Sequence, residues 1–78
     1  MKKVIVYSTD TCPFCTMAKD FLKENKVEFE DYNVGEDKKK LEEMYKKTGQ
    51  GGVPVLDIGG QIIIGFDEFK IKNALGLK

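Results

Sequence analysis

Histidine and tryptophan are absent from this sequence of 78 residues, and cysteine occurs only twice. Without histidine, the chain lacks the base that hydrolytic cysteine catalysis usually requires. A zinc site takes four ligands, typically two cysteine pairs or one pair with histidines, so one such chain cannot complete it. These absences argue against cysteine hydrolase chemistry and against a zinc site within one chain.

An excess of charge is also missing. The chain has 13 basic and 13 acidic residues, which gives a formal net charge of zero. Nucleic-acid-binding domains usually carry a basic excess or a basic stripe. The one basic run, the three lysines at 38–40, lies among glutamates and an aspartate and is interpreted as a solvated helix face. The sequence therefore predicts no nucleic-acid partner.

Long apolar runs are absent near the amino terminus. The run at residues 4–6 is far shorter than the roughly 7–15 apolar residues of a secretory signal or the about 20 of a membrane span. We therefore expect one cytoplasmic domain over residues 1–78, with no membrane partner. Thiols are kept reduced in the cytoplasm, so a close cysteine pair there is more often catalytic or metal-binding than structural.

Apolar periodicity predicts seven elements in the order β-α-β-α-β-β-α. Two strands joined by a helix usually pair in parallel, whereas a two-residue Gly59-Gly60 loop predicts an antiparallel hairpin. The expected fold is α/β, in the α+β sense, with a mixed four-stranded sheet and three helices. The predicted strands cover residues 2–8, 27–34, 53–58 and 61–64, and the predicted helices cover 13–25, 37–48 and 67–75.

Each predicted helix carries apolar residues at helical spacing, which are expected to pack on the sheet. Asp37 is expected to cap the second helix and Gly49 to end it. The apolar residues are Met17, Ala18, Phe21 and Leu22 in the first helix, Leu41, Met44 and Tyr45 in the second, and Phe69, Ile71 and Leu75 in the third.

The most informative motif is Cys12-Pro13-Phe14-Cys15, at the junction of the first strand and the first helix. Proline suits the first turn of a helix, where a missing N–H is no loss. Free amides and the helix dipole at that end favour a thiolate over a thiol. We expect exposed Cys12 to be the nucleophile and Cys15, one turn further, to be the resolving thiol of a dithiol–disulfide cycle.

Two further segments admit both a structural and a functional interpretation. Pro54 follows Val53 at the start of a strand, where a trans bond is the usual form, yet a cis bond would present the Val53 backbone to a substrate. Gly65 ends the last strand, and Asp67 can cap the last helix. The same helix end could instead hold a substrate carboxylate, with Asp67 accepting a hydrogen bond from a substrate ammonium group.

Together, the Cys12-Pro13-Phe14-Cys15, Val53-Pro54 and Gly65-Phe66-Asp67 segments resemble the glutaredoxin family over essentially the whole chain. The resemblance implies a thioredoxin fold, a cis Pro54 and one groove at which the segments meet. It implies glutathione as a co-substrate with no bound cofactor, and substrates that are protein disulfides or glutathione mixed disulfides. We expect a monomer with no bound metal. The substrate-binding residues that the resemblance implies are Thr11, Pro13, Phe14, Val53, Pro54, Gly65, Phe66 and Asp67, with Val53 at the cysteine of glutathione and Phe66 and Asp67 at its γ-glutamyl end.

The chain departs from the usual family pattern inside that groove. Thr9 stands where a lysine is common, Gly52 where threonine is usual, and Ile64 in place of a glycine, while Phe14 replaces tyrosine. A cation, a hydroxyl and a small residue that are usual in the glutathione groove are therefore missing. For this reason the sequence leaves two possible reductants for the protein, glutathione and thioredoxin reductase. The second reductant serves the similar electron donors of ribonucleotide reductase, which the Gly65-Phe66 pair also resembles.

Two charged residues lie near the cysteine motif, and a third class of function stays open. Asp10 slightly opposes thiolate formation, and Lys19 either compensates in part or is a solvated lysine on the outer helix face. A metal or iron–sulfur binding module is the remaining alternative. Family members that hold clusters usually have one active-site cysteine, and Pro13 beside Cys12 disfavours that arrangement.

Overall fold

One mixed sheet organises the protein, for which a computed structural model describes residues 3–76. The strand order is β2-β1-β3-β4, with β1 parallel to β2 and antiparallel to β3, and with β3 antiparallel to β4. This confirms the predicted element order and sheet. The strands are Val4–Ser8 (β1), Glu30–Asn33 (β2), Val55–Ile58 (β3) and Gln61–Ile64 (β4), and the helices are Pro13–Glu24 (α1), Lys38–Thr48 (α2) and Glu68–Leu75 (α3).

The strand register brings three connections to the same edge of the sheet. Ser8, the last residue of β1, pairs with Asn33 at the end of β2. Tyr7 pairs with Val55 at the start of β3, and Val55 also pairs with Ile64 at the end of β4. The loop into α1, the segment before β3 and the turn into α3 therefore all lie at this edge.

Strand alternation divides the core between the two faces of the sheet. We call them the α1/α3 face and the α2 face, after the helices that cover them. The buried residues of the α1/α3 face are Val4, Val6, Leu56, Ile58 and Ile63 from the sheet, with Ala18, Phe21, Leu22, Ile71 and Ala74 from the helices. Those of the α2 face are Ile5, Tyr7, Val34, Val55 and Met44.

The ends of α2 follow the predicted local signals. The Asp37 carboxylate accepts hydrogen bonds from the Lys39 and Lys40 amides, which have no partner within the first turn. Gly49 ends the helix in the left-handed region, with φ 73°, which glycine adopts without steric cost. Within residues 3–76, none of the helices has the length and hydrophobicity needed to cross a membrane.

The Gly59-Gly60 hairpin is confirmed. Both glycines have positive φ, 59° and 95°, as a two-residue turn of the favoured twist requires. The Gly60 amide also donates a hydrogen bond of 2.9 Å to the Asp57 side chain. The turn therefore fixes the register of β3 against β4 from sequence-local interactions.

The second strand is shorter than predicted. It covers Glu30–Asn33 rather than residues 27–34, and it forms an edge of the sheet. The Val27 amide donates to the Leu22 carbonyl at the end of α1, so this residue belongs to the helix exit. Val27 and Phe29 still pack on the α1/α3 face from outside the strand, which produces the alternation seen in the sequence. The first strand begins at Val4 and the third at Val55, later than the predicted residues 2 and 53, and residue 2 itself lies outside the described residues.

Three residues that were predicted to pack are exposed instead. Met17 is 47% exposed, Tyr45 56% and Phe69 75%. Each helix rests on the sheet along a narrow stripe, and these side chains lie to one side of it. The prediction was wrong for these three because apolar character alone does not separate the centre of a stripe from its margin.

Candidate active site

Cys12 caps the amino end of α1. Its backbone is extended, with φ −100° and ψ 107°, and its Sγ accepts a hydrogen bond from the Cys15 amide at 3.2 Å. Pro13 is the first helical residue, as predicted. The amide bond and the helix dipole both favour negative charge on this sulfur. The side chain is partly exposed, so a substrate sulfur can approach it.

Cys15 lies beneath Cys12 and is fully buried. Burial, and to a smaller extent the hydrogen bond with the Cys12 side chain, raise the pKa of the Cys15 thiol to about 12. A hydrogen bond with the Thr9 backbone and the charge of Lys19 lower this pKa. Cys15 therefore keeps its proton at neutral pH in the reduced protein. Both cysteines are free thiols, Cys12 partly exposed and Cys15 buried, and their division into nucleophile and resolving thiol stays a prediction.

The Val53-Pro54 peptide bond is cis, which confirms the expectation drawn from the family resemblance. The Val53 carbonyl oxygen lies 3.9 Å from Cys12 Sγ. Pro54 is buried, and its carbonyl accepts a hydrogen bond of 2.8 Å from the Gly65 amide. These contacts join the cysteine motif, the cis-proline segment and the start of the third motif at one edge of the sheet.

Two residues of the third motif, Phe66 and Asp67, make contacts within the fold. Phe66 stacks edge-to-face on Phe21 of α1, with 6.1 Å between the ring centroids. The Asp67 carboxylate caps α3 by accepting a hydrogen bond of 3.1 Å from the Lys70 amide. The capping role of Asp67 is thus confirmed, and its contact with a substrate stays a prediction.

The cysteine motif and the end of β4 carry exposed side chains. Phe14, between the two cysteines, is 58% exposed, and Ile64, beside the Pro54–Gly65 contact, is 54% exposed. Thr11 and Pro13 are exposed as well. The residues that the resemblance implies for substrate binding therefore include both exposed side chains and backbone groups held by the fold.

A polar cluster behind the cysteines was not predicted. The buried Ser8 hydroxyl donates a hydrogen bond of 2.6 Å to one Asp31 oxygen, and the Lys19 ammonium lies 3.0 Å from the other. Lys19 was predicted to be solvated or to compensate for Asp10; it is ion-paired, with its side chain 25% exposed. In the sequence, the position of Lys19 four residues after Cys15 was the signal that could have placed it near the buried thiol. No sequence signal indicated the role of Asp31, because its partners depend on strand register.

The Asp10 side chain is hydrogen-bonded to a neighbouring residue rather than fully solvated. Its carboxylate accepts a hydrogen bond of 2.9 Å from the Asn33 side chain, which also accepts one from the Gly35 amide. This contact ties the loop before Cys12 to the end of β2. No group of three or more cysteine, aspartate or glutamate side chains within residues 3–76 could hold a metal ion.

Known proteins resemble the chain in sequence and in fold. The Glutaredoxin family model matches residues 4–63. A glutaredoxin-like 8.6 kDa protein in the rubredoxin operon of Clostridium pasteurianum is 47% identical over 90% of this chain and 93% of its own length. Glutaredoxin 3 of Escherichia coli is 36% identical over 97% of this chain and 92% of its own length. The crystal structure of a mutant of the thioredoxin-like protein BC3987 superposes with a TM-score of 0.92 at 31% identity, over 100% of both chains.

Proposed function

The chain belongs to the glutaredoxin family, and from this premise we propose that it reduces protein disulfides or glutathione mixed disulfides through Cys12 and Cys15. The observation that carries the proposal is the unequal pair of sulfurs. One is partly exposed and accepts an amide hydrogen bond at the amino end of α1, and the other is buried one turn away. Such a pair suits attack by the first sulfur and resolution by the second.

In the first step, the Cys12 thiolate attacks one sulfur of a substrate disulfide. A bond forms between Cys12 Sγ and that sulfur, the substrate S–S bond breaks, and the second substrate sulfur leaves as a thiolate that takes a proton from solvent. The Cys15 amide, 3.2 Å from Cys12 Sγ, stabilises the attacking charge before the bond forms. The product is a mixed disulfide on Cys12.

In the second step, Cys15 or a glutathione thiol resolves that mixed disulfide. Attack by Cys15 forms the Cys12–Cys15 disulfide and releases the bound substrate thiol, so the protein loses two electrons and the substrate gains them. Attack by glutathione, the proposed co-substrate, on a glutathione mixed disulfide instead returns Cys12 to its thiolate and yields oxidised glutathione. Neither route needs a bound cofactor.

Substrate recognition is proposed for the groove beside Cys12. The Val53 backbone lies close enough to Cys12 Sγ to pair with the backbone around a substrate cysteine. Asp67, at the amino end of α3, would meet the ammonium of a γ-glutamyl group, with Phe66 beside it. Thr11 and Phe14 supply the exposed side of the same groove.

A second candidate has a specific observation in its favour. An electron donor reduced by thioredoxin reductase would meet a protein surface rather than a tripeptide. Ile64, the residue before the third motif, has an exposed apolar side chain, and Thr9 supplies no cation for a glutathione carboxylate. Protein–protein contacts favour apolar residues at their centre, so these two features support a protein reductant.

We further propose a cytoplasmic location and a monomeric state for the protein. A pair of free thiols fits the reducing cytoplasm. A monomer is the proposed acting unit, because both sulfurs of the proposed cycle belong to one chain. The net charge of zero gives no support for a nucleic-acid partner. Size-exclusion chromatography with light scattering tests the assembly state directly.

The central experiment compares Cys12→Ser with its matched control, Cys15→Ser, in disulfide reduction. We expect Cys12→Ser to abolish activity on every substrate, and Cys15→Ser to retain turnover of a glutathionylated peptide while losing that of a protein disulfide. Parallel assays with glutathione and glutathione reductase, or with thioredoxin reductase, identify the reductant. Full activity of Cys12→Ser would contradict the proposal. An iron–sulfur module would instead develop visible absorbance on anaerobic reconstitution.

A further inference from the structure

The cluster of Ser8, Asp31 and Lys19 holds a cation beside Cys15. Lys19 lies four residues after Cys15, so both side chains project from the same side of α1. Its ammonium is 3.0 Å from Asp31 of β2, whose other oxygen receives the Ser8 hydroxyl at 2.6 Å. Since Ser8 is 2% exposed, this bond anchors Asp31 to the end of β1. The lysine is thus held at the helix–sheet boundary rather than extended into solvent.

The second chemical step requires that Cys15 lose its proton. Burial raises the pKa of the Cys15 thiol, which makes this loss unfavourable, and the positive charge of Lys19 lowers it. The other ionisable groups around this position are Cys12 on the same helix, Asp31 on β2, and Asp20 and Lys23, which line the same shallow cleft as Lys19. Asp31 neutralises part of the Lys19 charge, so the two residues act on Cys15 with opposite sign.

We propose that Lys19 is a positioning residue that favours the attacking thiolate of Cys15 in the resolving step, and that Asp31 limits this effect. The proposal rests on the function given above. As the step proceeds, the Cys15 proton passes to solvent, a Cys15–Cys12 bond forms, and the bond from Cys12 to the substrate sulfur breaks. The departing thiolate is then protonated. In the first step the attacking charge is on Cys12, which lies seven residues from Lys19 along the chain whereas Cys15 lies four, so that step should depend on Lys19 less than the second step does.

A purely structural ion pair makes a different prediction. A half-exposed ion pair contributes little to stability, and its loss would leave both thiol reactions unchanged. An electrostatic role slows chiefly the reaction in which Cys15 is the nucleophile. The two interpretations are therefore separated by measuring the two steps in the same reaction.

The test uses dithiobis-nitrobenzoate, an aromatic disulfide that releases a coloured thiolate at each step, followed by stopped-flow absorbance. The first phase reports attack by Cys12, and the second reports attack by Cys15 on the mixed disulfide. If loss of the cation reduces the Cys15 thiolate tenfold, the second phase of Lys19→Met slows about threefold near neutral pH, because nucleophilicity rises as acidity falls. The pH profile of the second phase should move to higher pH, while the first phase changes less than the second.

Three further variants complete the test. Lys19→Arg restores the charge and should restore the second phase. Asp31→Asn removes the opposing charge while keeping a side-chain oxygen that can accept from Lys19, and it should accelerate the second phase. Lys23→Met, a charge loss one turn along the same helix, is the matched control and should alter neither phase. Circular dichroism establishes that each variant is folded.

The outcomes separate this inference from the proposed function. An unchanged second phase in Lys19→Met, or a slower one in Asp31→Asn, would overturn the role of Lys19 while leaving the oxidoreductase intact. A wild-type protein that shows no first phase at Cys12 would instead overturn the function itself. If Lys19→Met does not fold, Asp31→Asn alone decides, because the proposal predicts acceleration and a structural role predicts none.

Discussion

The two faces of the sheet bury different kinds of side chain. The α1/α3 face is closed by aliphatic and aromatic side chains, and the cysteine pair lies at its edge. The α2 face buries Tyr7, whose hydroxyl donates to Glu43 at 2.5 Å and accepts from Lys47 at 2.8 Å. Lys47 also contacts Asp57 at 2.7 Å. A polar group is thus buried on the α2 face only together with its partners.

The difference shows how each helix is positioned. Apolar packing is non-directional, so α1 and α3 depend on shape and on the volume of the side chains between them and the sheet. Hydrogen bonds are directional, and those from Glu43 and Lys47 to Tyr7 and Asp57 fix where α2 crosses β1 and β3. The reactive sulfurs therefore depend on the α1/α3 face for support, whereas the α2 face orients a helix that carries none of the proposed chemistry.

The largest expected effect comes from truncating the core on each face. Leu22→Ala should lower the free energy of unfolding by about 4 kcal/mol and Met44→Ala by about 2–3 kcal/mol, within the range of core truncations. Both side chains are fully buried, but Leu22 belongs to the larger cluster, where neighbours have less freedom to fill a cavity. Urea unfolding of both variants measures the difference. Equal losses would show that the faces are packed equally.

The next effect is a fall in the free energy of unfolding at alkaline pH. One buried group on each face contributes to it: the Cys15 thiol on the α1/α3 face and the Tyr7 phenol on the α2 face. Burial raises the pKa of Cys15 to about 12 and also raises that of Tyr7, where the Glu43 hydrogen bond adds to it. The folded protein thus holds these protons more tightly than the unfolded chain. The stability they confer is present at neutral pH and declines above about pH 8.5 for the thiol and above about pH 10 for the phenol, by at most about 1.4 kcal/mol per pH unit each.

Unfolding at a series of pH values, in wild type and two variants, checks this assignment. Cys15→Ala should flatten the decline from its onset, and Tyr7→Phe should flatten only its upper part. If both variants decline with the same slope as wild type, the contrast between the faces does not extend to protonation.

A smaller effect is expected from the aspartates that cap one helix on each face. Asp37→Ala and Asp67→Ala should each cost about 1 kcal/mol of stability, because each carboxylate accepts amide hydrogen bonds at a helix start. Asp67→Ala should in addition raise KM for glutathione, whereas Asp37→Ala should leave turnover unchanged. Steady-state assays with urea unfolding measure both. Identical kinetics in the two variants would limit Asp67 to capping.

The smallest effect is expected from removing the buried hydroxyl. Tyr7→Phe should cost about 0.5–1 kcal/mol, because its partners Glu43 and Lys47 are near enough to solvent to be rehydrated. Combined with Lys47→Met, the loss should be less than the sum of the two single losses, since both remove the same hydrogen bond. Additive losses in a double-mutant cycle would show that the network is not coupled.

Much of the fold was predictable because its signals are local. Pro13 at the start of α1, Asp37 and Gly49 at the ends of α2, and the Gly59-Gly60 turn each act within a few residues, so the sequence alone indicates them. The helix-end position of Cys12 followed from the same kind of signal. The cis bond at Pro54 did not, since residues alone favoured trans, and it came from the family resemblance.

The sequence by itself determined the order of the elements, their caps and turns, and the helix end that presents Cys12. Only the tertiary structure decided which apolar residues are exposed, that the second strand is short, and that Asp31 joins Ser8 to Lys19 behind Cys15. The physical reason is range: caps and turns satisfy backbone groups within one turn of chain, whereas burial and ion pairing depend on strand register, which brings together residues far apart in sequence.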